Sequence, residues 1–462
     1  MFEIETGDAP KNVDSISVAK AESIAGVSAP AGAGAPALLS KIAAICSSSL
    51  TPATRYLCLW TATVVAMLVT AAIFDALVDP YDVVGSIRVP GFNFVKPEAE
   101  NRVRLTKPYQ ISRLQPRAVI VGTSRAEIGL DPENSSWPEA VRPVYNFGLP
   151  GANLATVNRE LQVAGSTGRL KMAVILLDFE NFLSSDPGPD LTPDESQRMA
   201  VGAGSQPNAV PTARRLEDTF LTTLTLTALE DSVLTVLRQH GKYTTDITPA
   251  GKWTEAAFQL AAASDGYYEL FTQKEVDYAR RAAHAAGFLA DGTDATPEIE
   301  IVRQMLDYCR AHGIRPILVI PPYHADLLEM FDKAGLWDRF EAWKIGLVKL
   351  VYGSSDSREV TGQLWDFSGY DRYSTEPVPE KGDRHTTVNW FWEPGHFKCA
   401  LGDLLLKRVL DNQPSDFGVE LTPATIDEQL KKIRLARENY RITREMQIVR
   451  VDEIYLRAQK RN

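Results

Sequence analysis

The sequence predicts an α/β protein: a three-layer sandwich with a central parallel sheet, preceded by one N-terminal transmembrane helix and interrupted by a helical insertion. Three observations predict this architecture. Short apolar runs alternate with segments of helical periodicity, which is typical of a parallel sheet covered by helices on both faces. A stretch of 19 residues near the N-terminus carries no charge, and a long helical segment separates the third apolar run from the fourth.

Composition and charge limit the classes of function. With 462 residues, of which 44% are hydrophobic, the chain can build a sizeable core. The formal net charge of −10 argues against a surface that binds nucleic acid. The four cysteines, Cys46, Cys58, Cys309 and Cys399, show neither metal-ligand nor disulfide spacing. We therefore expect free thiols, no metal and no cofactor.

Residues 1–55 form a tail of low complexity. The tail is rich in Ala, Ser, Gly and Pro, as in VSAPAGAGAPALLS, and such a segment buries too little apolar surface to offset the entropy of ordering it. It also lacks the early basic and apolar pattern of a cleaved signal peptide. We expect a disordered cytoplasmic tail.

Residues 56–78 are expected to anchor the chain in a membrane. Their uncharged part, YLCLWTATVVAMLVTAAIF, can cross ~30 Å of hydrocarbon as a helix; the alternative is a buried helix of a soluble core. Basic residues precede the stretch and acidic residues follow it: Lys41, Arg55, then Asp75, Asp79 and Asp82. The positive-inside rule then predicts a single-pass protein of a bacterial inner membrane, with a cytoplasmic N-terminus and a periplasmic or extracellular main domain.

Five apolar runs after the anchor are predicted strands. They are RAVIVG (117–122), PVYNFG (143–148), LKMAVILLDF (170–179), IRPILVIPP (314–322) and GQLWDFSG (362–369). Helical patterns separate most of them; one places Ile299, Val302, Met305, Leu306 and Cys309 on a single face. We assign residues 79–416 to this sheet domain. In such sheets the ligand site lies at the carboxyl ends of the strands.

Polar residues follow the predicted strands at those ends. In chain order they are Thr123, Ser124, Arg125, Asn146, Gly148, Gly151, Asn153, Asp178, Asn181, Tyr323, His324, Asp366 and Ser368. A last loop, NWFWEPGHF, delivers Glu393 and His396 at the start of the final long helix. These residues are the candidates for a site.

Ser124 is the candidate nucleophile. A catalytic serine needs a base, an acid that orients the base, and backbone N–H donors for the oxyanion. His396 is the candidate base, with Glu393 three residues before it as the orienting acid. A serine that opens a helix lies near exposed N–H groups, and Gly151 allows a close approach of the backbone. The structural alternative for Ser124 is an ordinary helix cap.

The order of these segments resembles the SGNH (GDSL-like) hydrolase superfamily over residues 115–410. GTSR is similar to its serine block, NFGLPG to its NxGxxG block, and EPGH stands where DxxH is usual. The N-terminal anchor, with LLDFENF and PPYH, resembles membrane-tethered relatives associated with exopolysaccharide O-acetylation and cell-wall polymer D-alanylation. The resemblance implies a flavodoxin-like fold, Ser124 as nucleophile, His396 as base, and the Ser124 and Gly151 amides as oxyanion donors.

The chain departs from the family pattern at three positions. Thr123 stands where Asp usually precedes the serine, and LLDFENF lacks the glycine context of the usual oxyanion Asn, so Asn153 is a candidate for that donor. The acid is Glu393 instead of Asp, which leaves Asp366 as an alternative. Candidate substrate contacts at the same edge are Arg125, Asp178, Asn181 and His324.

Two segments lie outside the sheet. The insertion, about residues 186–296, contains a helix with Leu226, Leu229, Val233, Val236 and Leu237 on one face; it either caps the site or packs at a distance from it. Residues 417–462 form a C-terminal helical extension, which we expect to pack on the core.

Two functions of different classes fit these residues. The first is an extracytoplasmic acyl esterase or O-acyltransferase that acts on an envelope or exopolysaccharide glycan through acyl-Ser124, with a membrane protein as possible acyl donor. The second is a non-catalytic envelope protein that keeps the fold as a glycan-binding or assembly-partner module. Retention of Ser124, Gly151 and His396 in order favours the enzyme, whereas Thr123 and Glu393 favour the module.

Overall fold

The computed structural model describes residues 51–183, 188–201, 210–288, 297–353, 362–411 and 415–460. Among the described residues, the chain divides into two units, residues 51–66 and residues 67–460. The predicted disordered tail falls almost entirely outside the described residues. Part of the predicted insertion does so as well.

Sixteen helices are present in the described ranges. In chain order they are α1 Pro52–Val78, α2 Pro97–Asn101, α3 Val103–Leu114, α4 Ser124–Gly129, α5 Leu154–Gly165, α6 Pro193–Arg198, α7 Thr212–Thr223, α8 Leu226–Leu237, α9 Ala256–Ser264, α10 Tyr267–Phe288, α11 Pro297–Ala311, α12 Ala325–Lys333, α13 Trp337–Tyr352, α14 Cys399–Asp411, α15 Ile426–Thr443 and α16 Glu445–Gln459. Two 3₁₀ turns are Glu139–Val141 and Phe179–Leu183.

Helix α1 is long and apolar enough to cross a membrane. Its 27 residues rise ~40 Å at 1.5 Å per residue, and its most apolar window has a mean hydropathy of 2.2 with none of its residues buried. The predicted apolar helix is therefore confirmed by length and composition, and its orientation stays a prediction.

A mostly parallel sheet forms the centre of the second unit. Its strands are β1 Ala118–Val121, β2 Val144–Asn146, β3 Met172–Leu176, β4 Arg315–Ile320, β5 Gln363–Asp366 and β8 Val419–Glu420, in the order β2-β1-β3-β4-β5-β8. The first five are parallel and coincide with the five predicted strands, which confirms the α/β class. The short β8 pairs antiparallel with β5, and the sequence analysis missed it.

The strands are buried on both faces, which explains their unbroken apolar sequences. Alternate residues enter different core clusters: Val119 and Val121 join the cluster that includes α5, α11 and α13, whereas Ala118 and Ile120 join the one that includes α14. Helices thus cover the sheet on both sides, because side chains alternate between the faces of a strand.

The segment NWFWEPGHF is a β-hairpin, where the sequence analysis expected a loop. Strands β6 (Phe391–Glu393) and β7 (His396–Phe397) pair antiparallel, with Glu393 opposite His396. The long helix predicted to start in this segment, α14, begins only at Cys399. Pro394 and Gly395 reverse the chain between the two strands, which brings the two predicted site residues side by side.

The C-terminal helices α15 and α16 pack on the sheet domain. Leu430, Ile433 and Ile454 are buried in the core cluster, and Tyr440 is buried as well. Arg450 of α16 is paired at 2.7 Å with the buried Glu275 of α10, and it also bonds Asp326 of α12.

Candidate functional site

Ser124 lies at the carboxyl end of β1, as the first residue of α4. The preceding Gly122 has φ +150°, and a Cβ there would lie 3.0 Å from the Cβ atoms of Ala126 and Leu176. Glycine is therefore needed for this sharp strand-to-helix turn. Thr123 caps α4, because its hydroxyl accepts the Arg125 N–H at 3.3 Å. The turn leaves the Ser124 side chain partly exposed.

Ser124, His396 and Glu393 form a continuous hydrogen-bonded chain. Ser124 Oγ lies 2.7 Å from His396 Nε2, and His396 Nδ1 is bonded to Glu393 Oε1. Glu393 is fully buried, while the His396 side chain is 14% exposed. Since the carboxylate accepts the Nδ1 proton, Nε2 is left free to accept the proton of the Ser124 hydroxyl.

Glu393 is held in its ionised form. Burial by itself would raise the pKa of Glu393, but the His396 ring, the Gly395 amide and the Arg125 guanidinium together lower that pKa below its ordinary value. The Gly395 N–H donates to Glu393 Oε2 at 3.0 Å. A buried carboxylate that stays charged fixes the imidazole tautomer and stabilises an imidazolium when one forms.

Arg125 and Asp178, two predicted substrate contacts, lie beneath the turn. Arg125 is 5% exposed; it donates to the Gly395 carbonyl at 2.7 Å and pairs with Asp178 at 3.1 Å and Glu180 at 2.6 Å. Asp178 also accepts a bond from the Thr123 hydroxyl. These positions do not fit substrate contact, because each charge is already paired inside the protein. They join the ends of β1 and β3 to the hairpin.

His324, another predicted substrate contact, is also structural. It is fully buried and caps α12, accepting the Asp326 N–H at 3.3 Å, while its Nε2 is bonded to the Glu376 carbonyl at 2.8 Å. The edges of Phe271 and Phe391 cover its ring. The strand-end position was predicted correctly, but the chain folds over the side chain.

Asp366 does not orient His396. Its carboxylate is buried and bonded to Lys344 at 2.7 Å and to the Ser368 hydroxyl at 2.6 Å. Of the two acids considered from the sequence, Glu393 is the one that contacts the imidazole.

The Gly151 loop stands open beside the serine turn. Gly151 has φ +69°, and no atom lies within 4 Å of the position its Cβ would take. Within the described chain, no backbone carbonyl accepts a bond from the Ser124 or Gly151 amide. Asn146 fixes the start of this loop to α4, because it donates to the Ala126 and Leu130 carbonyls at 2.8 Å.

The two asparagines near the loop differ in their engagement. The Asn153 side chain caps α5, accepting the Thr156 N–H at 3.0 Å, and donates to the Gly188 carbonyl. Asn153 therefore does not fit the predicted role of oxyanion donor. Asn181 is half-buried and donates over 3.4 Å to the Ala152 carbonyl, next to Gly151.

Aromatic side chains adjoin the site, and the sequence analysis missed them. Phe258 of α9 stacks on Trp392 with 5.5 Å between the ring centres, and its ring centre lies 5.9 Å from that of His396. Tyr267 of α10 also stacks on Trp392, with 6.3 Å between the ring centres. Phe258 and Tyr267 come from the insertion, which thus reaches the site. No short motif in GKWTEAAFQL marks Phe258, because its place depends on packing of the whole insertion.

No group of three or more His, Cys, Asp or Glu able to hold a metal occurs in the part of the chain that the structure describes. Comparison of the chain with protein-family models, curated proteins and solved structures finds no match. Fold and site together define a mixed α/β protein with a Ser–His–Glu chain at the carboxyl edge of a parallel sheet. Its function has to be argued from that geometry.

Proposed function

We propose that this chain is a membrane-anchored, extracytoplasmic SGNH-type acyl esterase or O-acyltransferase that acts on an envelope or exopolysaccharide glycan through an acyl-serine intermediate. The observation that carries the proposal is the hydrogen-bonded chain Ser124–His396–Glu393, with 2.7 Å between Ser124 Oγ and His396 Nε2. A helix cap alone needs neither a histidine nor a buried acid in these positions.

The proposed reaction uses the residues of this hydrogen-bonded chain. His396 Nε2 takes the proton of Ser124 as Oγ attacks the acyl carbonyl carbon, and the resulting oxyanion accepts bonds from the Ser124 and Gly151 amides. The bond to the leaving alcohol breaks, and His396 returns the proton to that alcohol. A glycan hydroxyl, or water in an esterase, then attacks the acyl carbonyl carbon while His396 takes its proton. The bond from that carbon to Ser124 Oγ breaks, and His396 returns the proton to Oγ.

The departures from the family pattern have local explanations. Thr123 bonds Asp178 through its hydroxyl, so a neutral donor meets a buried carboxylate there. The longer acid Glu393 reaches His396 because the two residues face each other across the hairpin. Asn181 is the proposed third oxyanion donor, because its side-chain amide lies beside the Gly151 loop.

The acceptor class is inferred from the surroundings of the site and from the anchor. Phe258 is half-buried beside His396, and aromatic faces are suited to pack against the apolar face of a sugar ring or an acyl chain. An anchor preceded by Lys41 and Arg55 predicts export of the domain that follows it. Both features suit a polymer of the cell envelope.

The direct test uses the full-length protein in mild detergent, with a fluorophosphonate probe and a chromogenic acetyl ester. We expect covalent labelling and turnover by the wild type, no labelling of Ser124→Ala, and unchanged labelling of Ser264→Ala, which alters an exposed serine at the end of α9. A folded wild type that neither labels nor turns over ester would instead favour the non-catalytic glycan-binding module.

A further inference from the structure

Exposed apolar side chains concentrate in two short segments of the described chain. After α1, residues 84–94 contain four large exposed apolar residues and residues 212–237 contain seven. All other described residues after α1 contain six together. Those of the two segments are Val84, Ile87, Val89, Phe94, Leu216, Phe220, Leu221, Leu224, Leu226, Val233 and Leu237. We call this set the anchor-proximal surface. Such clustering is unusual for a surface that faces only water.

The helices of the anchor-proximal surface bury several polar side chains and expose large apolar ones. Helix α7 buries Arg214, Asp218, Thr222 and Thr223. Helix α8 buries Ala228, Ser232 and Thr235, while Leu226 and Leu237 are 82% and 73% exposed. This arrangement reverses the usual amphipathic helix of a water-soluble domain. It fits a helix whose outer face meets an apolar medium.

Segment 84–94 is fixed to the end of α1. The Asn93 amide donates to the Leu77 carbonyl at 2.9 Å and to the Val78 carbonyl at 3.4 Å, which are the last carbonyls of that helix. The Asp79 carboxylate accepts four N–H groups, those of residues 83–86. The segment therefore lies at the level where α1 ends.

Helix α8 is held at the same level. Its Asp231 accepts a bond from the Tyr81 hydroxyl. The side-chain amide of Gln239, two residues after the helix, donates to the Val95 carbonyl at 2.7 Å and accepts the Val95 N–H at 3.0 Å. These contacts fix α8 to the segment that follows α1, and Ile73 and Leu77 of that helix are exposed as well.

Neither α7 nor α8 can cross a bilayer by itself. Each has 12 residues, which span ~18 Å, and the two meet at a bend of 64°. Exposed Arg215 and Lys242 lie at the borders of the surface, where long basic side chains can extend to lipid headgroups. The dimensions suit helices that lie in the membrane interface.

We propose that the anchor-proximal surface is embedded in the interfacial layer of the same membrane that α1 crosses, so that the domain is seated on lipid and not only tethered to it. The inference rests on the membrane anchor of the proposed function and on no catalytic step.

The test places single nitroxide labels on the full-length chain in nanodiscs of phosphatidylcholine and phosphatidylglycerol. Labels replace Leu226 and Leu237 on the surface, Leu68 of α1 as a reference in lipid, and Ile442 as the matched control, since Ile442 of α15 is 80% exposed. Only Cys46 and Cys58 need replacement by Ser. Cys309 is buried, and burial raises the pKa of the Cys399 thiol to about 12, which slows labelling.

Power-saturation spectroscopy then compares collision of each label with oxygen, which concentrates in lipid, and with a water-soluble nickel chelate. We expect the ratio of oxygen accessibility to nickel accessibility to be several-fold higher at positions 226 and 237 than at position 442. Position 68, the reference in lipid, should also have a higher ratio than position 442. Free access of nickel to 226 and 237 would overturn the proposal. Protection from both reagents would overturn it too, since it indicates a second copy or a protein partner on the surface. Nickel access at 68 would remove the anchor itself, leaving the Ser124 chemistry to its own test.

Discussion

The serine site and the anchor-proximal surface are built in opposite ways. At the site, polar groups are gathered at the end of the sheet and paired: Glu393 with His396, and Arg125 with Asp178. In α7 and α8 the polar groups are also inside, as with Arg214 and Asp218, but the apolar residues are outside. The comparison teaches that buried charges are paired inside the protein in both places. The two regions differ in what they expose: the site exposes the Ser124 hydroxyl, and the anchor-proximal surface exposes apolar side chains.

The largest expected effect breaks the chemistry of the site. Ser124→Ala should abolish covalent labelling and lower turnover by on the order of 10³-fold or more, because the acyl group has no acceptor oxygen. His396→Ala should be comparably severe. Ester hydrolysis and thermal unfolding are measured together. A variant that keeps the wild-type rate would reduce GTSR to a structural turn.

The two acids considered from the sequence should separate next. Glu393→Gln should reduce the rate by on the order of 10²- to 10⁴-fold, since Gln no longer stabilises the imidazolium. Its thermal stability is measured as well, to exclude a loss of folding. Asp366→Asn should act on folding and leave the chemistry to the fraction that folds, at a cost of ~3–5 kcal/mol, because Lys344 loses its buried partner. Equal catalytic losses per folded molecule in the two variants would contradict the assignment of Glu393 to His396.

Two leucines sharpen the comparison in terms of stability. Leu161→Ala in α5 removes a fully buried side chain and should lower the free energy of unfolding by ~2–5 kcal/mol. Leu226→Ala at the outer face of α8 should cost less than ~1 kcal/mol. Denaturant unfolding of the full-length chain in detergent measures both. Equal costs would mean that the outer face of α8 is packed against protein.

The smallest expected effect is a pH dependence of stability caused by Lys398, which lies beside the aromatic side chains of the site. Lys398 lies 4.2 Å from the Trp392 ring centre, and burial lowers the pKa of its ammonium to about 8, against the smaller opposing effects of Glu255 and Glu376. Below pH 8 the folded and unfolded chains both carry the charge, and the cost of half-burying it is fully present. As pH rises from 8 toward the ordinary lysine pKa of ~10.4, the folded chain loses the proton first, so this cost disappears.

The wild type should therefore gain stability relative to Lys398→Met between pH 8 and 10, by about 1 kcal/mol or less after solvent screening. Unfolding free energies at pH 7, 8, 9 and 10 for both proteins supply the measurement. Parallel curves would show that the Lys398 ammonium is not destabilised by its surroundings.

Several site residues could be predicted because their positions follow from local sequence. An apolar run that ends in a glycine and a serine defines the strand-to-helix turn at Ser124, and parallel strands end at one edge. The roles of Arg125, Asp178 and His324 could not be predicted in this way. A polar residue at a strand end has the same sequence signature whether substrate or protein covers it. Here Arg125 donates to Gly395 of the hairpin, Asp178 is paired with Arg125, and His324 is bonded to Glu376.

The sequence by itself determined the five parallel strands, the apolar helix α1 and the serine and histidine of the site, because periodicity and spacing are local properties. Only the tertiary structure decided that Glu393 and not Asp366 contacts His396, that Phe258 of the insertion reaches the imidazole, and that the apolar face of α8 points outward. Periodicity shows that a helix has two faces, but the direction of each face depends on contacts between residues far apart in the chain, such as Tyr81 with Asp231.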